Sequence, residues 1–157
     1  PQNPKTPSLS FNICSIQFII IKQTFQNFPM GSTTMTVAQA PAFTFDLNAA
    51  PSNSEAIAIN AVHVGQPFFA TGAENATTGS QWILAVDPEH ACGPPGSIQV
   101  SSTYTQDAHS AGMMGIGGVR KFTFIPTSTA VTGNLCRVSF SMGQAWNMPS
   151  NWSSAPQ

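Results

Sequence analysis

Charge is what this sequence has least of. Its 157 residues include five Lys or Arg and six Asp or Glu, a net of −1, so charged side chains are 7% of the chain where a soluble domain usually carries about 25%. With no basic stripe to neutralise phosphates, neither nucleic acid nor an anionic membrane surface is expected as a partner. A highly charged disordered chain is excluded on the same count. Leucine is nearly missing, at Leu9, Leu47, Leu84 and Leu135 only. Cysteine occurs three times, at Cys14, Cys92 and Cys136. An odd number without close spacing cannot be a fully paired framework and does not resemble a zinc site, and no cofactor is expected. If Cys14 lies in a tail, Cys92 and Cys136 can bridge; otherwise both are buried thiols. No apolar run is long. Phe11 to Ile21 (FNICSIQFIII) falls well short of the roughly 20 residues a membrane-spanning helix needs.

What is plentiful is Ser and Thr, at 17 and 15 positions, with 12 Gly and 13 Pro as punctuation. That balance disfavours helix and suits many short strands. The length is that of one domain. Residues 1–36 differ in texture, holding two basic residues and no acidic one. They read as an N-terminal extension that is disordered, signal-like or non-native, translated ahead of a start at Met30 or Met35. The apolar run would be the signal's core, although Lys5 alone precedes it and the nearest small-residue cleavage pattern, Ala38-Gln39-Ala40, lies far beyond. On this reading the folded domain spans 41–157.

Within that domain, alternation with period two recurs. Phe43, Phe45 and Leu47 share a face, and Ile57 and Ile59 start a strand towards Val64. Pro67 to Ala73, Trp82 to Val86, Ile98 to Tyr104 and Val119 to Ile125 follow. Cys136, Val138, Phe140 and Met142 mark the clearest strand. Turn signals separate these runs at Pro51-Ser52-Asn53-Ser54, Val64-Gly65-Gln66-Pro67, Gly93-Pro94-Pro95-Gly96 and Thr132-Gly133-Asn134. About seven or eight strands at this spacing predict an all-β, two-sheet sandwich.

A sandwich commits its strands to the core and leaves function to its loops. Three connections stand out: Asn75-Ala76-Thr77-Thr78-Gly79 before the Trp82 strand, Gly115-Ile116-Gly117-Gly118 before Phe122 and Phe124, and Gln144-Ala145-Trp146 after the Cys136 strand. Glycines let a backbone approach another closely. Tryptophan offers a large rigid contact area and is a frequent binding hot spot.

In this order and with these spacers, the three motifs resemble the chagasin family of cysteine-protease inhibitors over roughly residues 43–152. The resemblance implies an immunoglobulin-like sandwich with three loops at one end forming a wedge for the cleft of papain-like cysteine proteases. Thr77 and Thr78 would then lie at the catalytic cysteine. Gly115, Ile116, Gly117 and Gly118 would line one side of the cleft, and Gln144, Ala145 and Trp146 the other. The implied protein is a monomeric, reversible, tight-binding inhibitor and not an enzyme. Two departures stand out. Ala76 replaces the family's proline and so frees a φ angle, and Gln144-Ala145 replaces an Arg-Pro pair. The first also makes Asn75-Ala76-Thr77 a glycosylation sequon, as is Asn151-Trp152-Ser153.

Two other readings compete with this one. Asp87-Pro88-Glu89-His90-Ala91-Cys92 gathers carboxylates, an imidazole and a thiol, but nothing in the spacing selects a partner such as His63 or His109 for catalysis or metal. A non-inhibitory immunoglobulin-like binding or adhesion module would keep the sandwich and owe nothing to the loops. The discriminating feature is whether Thr78, Gly117 and Trp146 share one rim.

Overall fold

The computed structural model describes residues 12–21, 43–49, 56–58, 61–86, 92–108 and 115–144. Ala145 and Trp146, Asp87 to Ala91, His109, the Pro51 to Ser54 turn and the Asn151 sequon lie outside the described residues. The strands are β1 (Asn12–Ile21), β2 (Thr44–Asp46), β3 (Ala56–Ala58), β4 (Val62–His63), β5 (Phe68–Glu74), β6 (Ser80–Val86), β7 (Ile98–Gln106), β8 (Gly118–Pro126) and β9 (Leu135–Gln144). One sheet has the order β3-β1-β9-β6, with β4 also against β1, and the other has the order β2-β5-β8-β7. This is the all-β, two-sheet sandwich expected from the alternation. The described residues hold more strands than were read from the sequence because β1 is an added strand and because β3 and β4, read from sequence as one strand, pair separately with Ser15–Gln17 and Ile20–Ile21 of β1.

The main correction concerns the N-terminal stretch. Residues 12–21, set aside as part of an extension over 1–36, form β1 inside the first sheet. β1 pairs with β9 from Asn12↔Met142 to Ile19↔Leu135 on one edge and with β3 and β4 on the other. The physical reason is an alternation that the apolar run conceals. Cys14, Ile16, Phe18 and Ile20 point one way and are all buried, while Gln17 and Ile19 between them are more exposed. The boundary of the folded unit therefore lies before 41.

Phenylalanine makes up for the missing leucine. Phe18 and Phe140 from the first sheet meet Phe68, Phe122 and Phe124 from the second, all essentially inaccessible to solvent. Ring centroids are 4.8 Å apart for Phe18 and Phe68, 4.9 Å for Phe68 and Phe124, and 5.2 Å for Phe122 and Phe140. Tilted and edge-on pairs at such distances add about 0.5–1.5 kcal/mol each beyond burial. Cys14 belongs to the same core; burial pushes its thiol up, so it stays protonated and is no candidate nucleophile.

At the end where β9 begins, Cys92 and Cys136 are joined as a disulfide, their Cα atoms 5.1 Å apart. That separation lies within the usual range for a bridge. The choice left open by the cysteine spacing thus resolves to pairing, with Cys14 free and buried. Gly93 and Gly96 take positive φ in the turn that follows Cys92, and Ser97 closes it by donating from Oγ to the Pro94 carbonyl at 2.6 Å.

Candidate loop site at one end of the sandwich

Sequence register places the loop motifs together. β5 ends where β8 begins, at the pair Glu74↔Gly118, and β6 begins where β9 ends, at Ser80↔Gln144. A bridge between Asn75 and Ser80 joins the two sheets across the short turn Ala76–Thr78. The first motif, the glycine motif and Gln144 of the third motif therefore meet at one end. The disulfide lies at the other, since Cys136 stands near the opposite end of β9.

Asn75 organises this end. Its Oδ1 accepts from the Thr77 backbone N–H at 3.2 Å and from the Thr77 hydroxyl at 2.7 Å. Its Nδ2 donates to the Gly115 carbonyl at 3.0 Å. Its own carbonyl accepts from the Thr78 N–H at 3.1 Å and from the Thr78 hydroxyl at 2.8 Å. One residue thus closes its own turn and ties it to the glycine loop. Asn and Thr suit such turns because their short polar side chains reach nearby backbone. Gly79 completes the turn with φ 75°, a conformation that favours glycine.

Thr77 and Thr78 are both exposed. Both hydroxyls donate to Asn75 inside the turn, so neither is left as a free hydroxyl donor at the tip. The tip carries no charge of its own. The Nδ2 that a glycan on Asn75 would occupy is the atom that reaches Gly115, so a sugar there would leave a single N–H for the link between the loops.

The glycines divide by role. Gly115 is exposed, has φ 83° and has open space where a Cβ would stand. Gly117 is half-buried, and a Cβ there would make only ordinary contacts, 3.5 Å from the Glu74 carbonyl. Its carbonyl accepts from the Asp107 N–H at 3.0 Å, closing the loop between β7 and β8. Ile116 is half-buried. Gly118 has a packing role that the sequence did not announce. It is buried in β8 between Glu74 and Gln106, and a Cβ would run into the Thr105 carbonyl and the Tyr104 ring. Its missing side chain serves internal packing.

Sequence reading missed Glu74 and Arg120. Glu74 is buried, and the Arg120 guanidinium meets it through two hydrogen bonds. Those bonds, with the carboxylate's charge, hold Arg120 above its already high ordinary pKa against the opposing effect of burial. A signal existed. Glu74 falls in the same alternating row as Phe68 and Ala70, and Arg120 in that of Phe122 and Phe124, so both charges stand on core-facing positions.

Among curated proteins, none is significantly similar in sequence. The crystal structure of the cysteine protease inhibitor EhICP2 from Entamoeba histolytica matches at 12% identity, over 89% of this chain and 87% of that one, with a TM-score of 0.38. So distant a likeness adds nothing to the fold already described. A model of the chagasin family of peptidase inhibitors, I42, matches residues 61–154. That span is more than half of the chain and includes all three loop motifs. The chain, whose family is one of inhibitors and not of enzymes, therefore belongs to the chagasin family.

Proposed function

We propose that this protein is a reversible, tight-binding inhibitor of papain-like cysteine proteases, and that it acts by filling the active-site cleft with the loops around Thr77 and Thr78, Gly115 to Gly117, and Gln144 to Trp146. The observation that carries this reading is the bond from Asn75 Nδ2 to the Gly115 carbonyl, which makes one unit of two loops distant in sequence. Pre-ordering of this kind lowers the entropy surrendered on binding. It also offsets the freedom gained where Ala76 stands in place of proline. Extended loop backbone can pair with a cleft wall through main-chain hydrogen bonds. Trp146 would supply rigid apolar area on the third side. Gly118 contributes by shaping the loop's foot rather than by touching the protease.

The test is titration of the full chain against papain and a cathepsin, followed with a fluorogenic peptide. Stoichiometric loss of protease activity, with the inhibitor recovered uncleaved, is the expected result. No effect on several such proteases would favour a binding or adhesion module instead. Because the chain is nearly neutral, association should depend only mildly on salt.

Asn75 can be dissected further. Asn75→Asp keeps an acceptor for Thr77 but loses the donor and sets a carboxylate against the Gly115 carbonyl. Asn75→Ala loses both functions. At about 1 kcal/mol for each net hydrogen bond, inhibition should weaken roughly fivefold in Asn75→Asp, which loses the bond to Gly115, and further in Asn75→Ala, which also loses both bonds from Thr77. An inhibition constant in Asn75→Asp equal to that of the parent would remove the link between the loops from the mechanism.

A further inference from the structure

Glu74 ends β5 immediately before the Asn75 turn, and its side chain is completely buried. Both carboxylate oxygens are engaged. Oε1 accepts from Arg120 Nη2 at 2.6 Å, and Oε2 accepts from Arg120 Nε at 3.0 Å and from the Trp82 backbone N–H at 3.0 Å. Arg120 lies on β8, two residues past Gly118, whereas Trp82 lies on β6 in the opposite sheet. One carboxylate therefore holds the foot of the glycine loop, the foot of the Asn75 turn and the strand leaving that turn. The Trp82 indole adds a bond from Nε1 to the Ala73 carbonyl at 3.0 Å. It occupies the room left by Gly72, where any Cβ would meet the ring. Arg120 is braced on its other side by the Tyr104 ring, 5.5 Å from its guanidinium carbon.

A buried ion pair adds little net stability, because desolvation offsets most of the attraction and apolar groups of like volume often serve as well. What the pair supplies is direction, since a two-pronged guanidinium–carboxylate contact admits one planar arrangement. In a chain so poor in charge, these two ionised groups stand at the base of the loops. We infer that Glu74 and Arg120 are positioning residues: together they set the spacing between the Thr77–Thr78 tip and the Gly115–Gly117 loop, and through that spacing the affinity for the protease. The inference rests on the inhibitor reading above.

Two variants separate geometry from stability. Glu74→Gln keeps the shape but leaves one carbonyl oxygen where three donors converge. Glu74→Leu with Arg120→Met replaces the pair by apolar groups and should keep a cooperative melting transition close to the parent's. Each is read by inhibition of papain and by amide hydrogen exchange at Thr78 and Asp107, whose N–H groups close the two loops. The expected result is inhibition weakened about tenfold, with faster exchange at both amides and unchanged protection in β8 and β9. In a folded double variant, a parental value for either readout overturns the proposal; should that variant not fold, Glu74→Gln decides by the same two readouts. If the parent itself inhibits no papain-like protease, the inhibitor reading fails, and exchange alone decides whether the pair positions the loops.

Discussion

A chain shortened to residues 41–157 is expected not to fold. The cut removes β1, which lies between β9 and the β3–β4 edge and contributes Cys14, Ile16, Phe18 and Ile20 to the core. Without it β9 loses eight paired residues, from Leu135 to Met142, and Phe68 loses the ring tilted against it at 4.8 Å. Removing Phe18 alone, as Phe18→Ala, should cost about 3–5 kcal/mol, a large share of the roughly 5–15 kcal/mol that holds a domain of this kind together. Circular dichroism and a denaturant titration check both. A shortened chain that melts cooperatively, with the stability of the full chain, would show that β1 is dispensable.

Opening the disulfide is expected to have the next largest effect, and on stability alone. Cys92 and Cys136 are separated by 44 residues in sequence, and closing a loop of that length restricts the unfolded chain by about 4 kcal/mol. The bridge also secures the turn after Cys92, where the Val131 N–H reaches the Cys92 carbonyl at 2.9 Å. Its distance from the Asn75 end separates the two properties. Replacing both cysteines by alanine should lower the denaturant midpoint markedly, while the folded fraction inhibits as the parent does. An unchanged midpoint would mean that the bridge contributes nothing. A changed inhibition constant at full folding would mean that the two ends are coupled.

Most strands were legible because half-buried strands write their burial into the chain with period two. The Cys136 strand shows it plainly: Cys136, Val138 and Phe140 are buried, while the intervening Leu135, Arg137 and Ser139 are not. β1 was not legible for a related reason. Consecutive isoleucines from Ile19 onward fill both faces and blur the alternation that Cys14 to Phe18 carries. Its pairing is also wholly long-range, so nothing nearby in the chain announces it. The packing role of Gly118 was not legible because a glycine needed for a turn and one needed for packing look alike until the atoms behind it, here Tyr104 and Thr105, are placed.

By itself, the order of residues determined the class of fold and marked out the three loop motifs, since each depends on local period, composition or short spacing. Three things waited for the tertiary structure: the inclusion of β1, the pairing of Cys92 with Cys136, and the seating of Glu74 and Arg120 beneath the loops. All three are contacts between residues far apart in the chain. Alternation says which way a side chain points but not which strand lies opposite, and only the assembled sheets fix that choice.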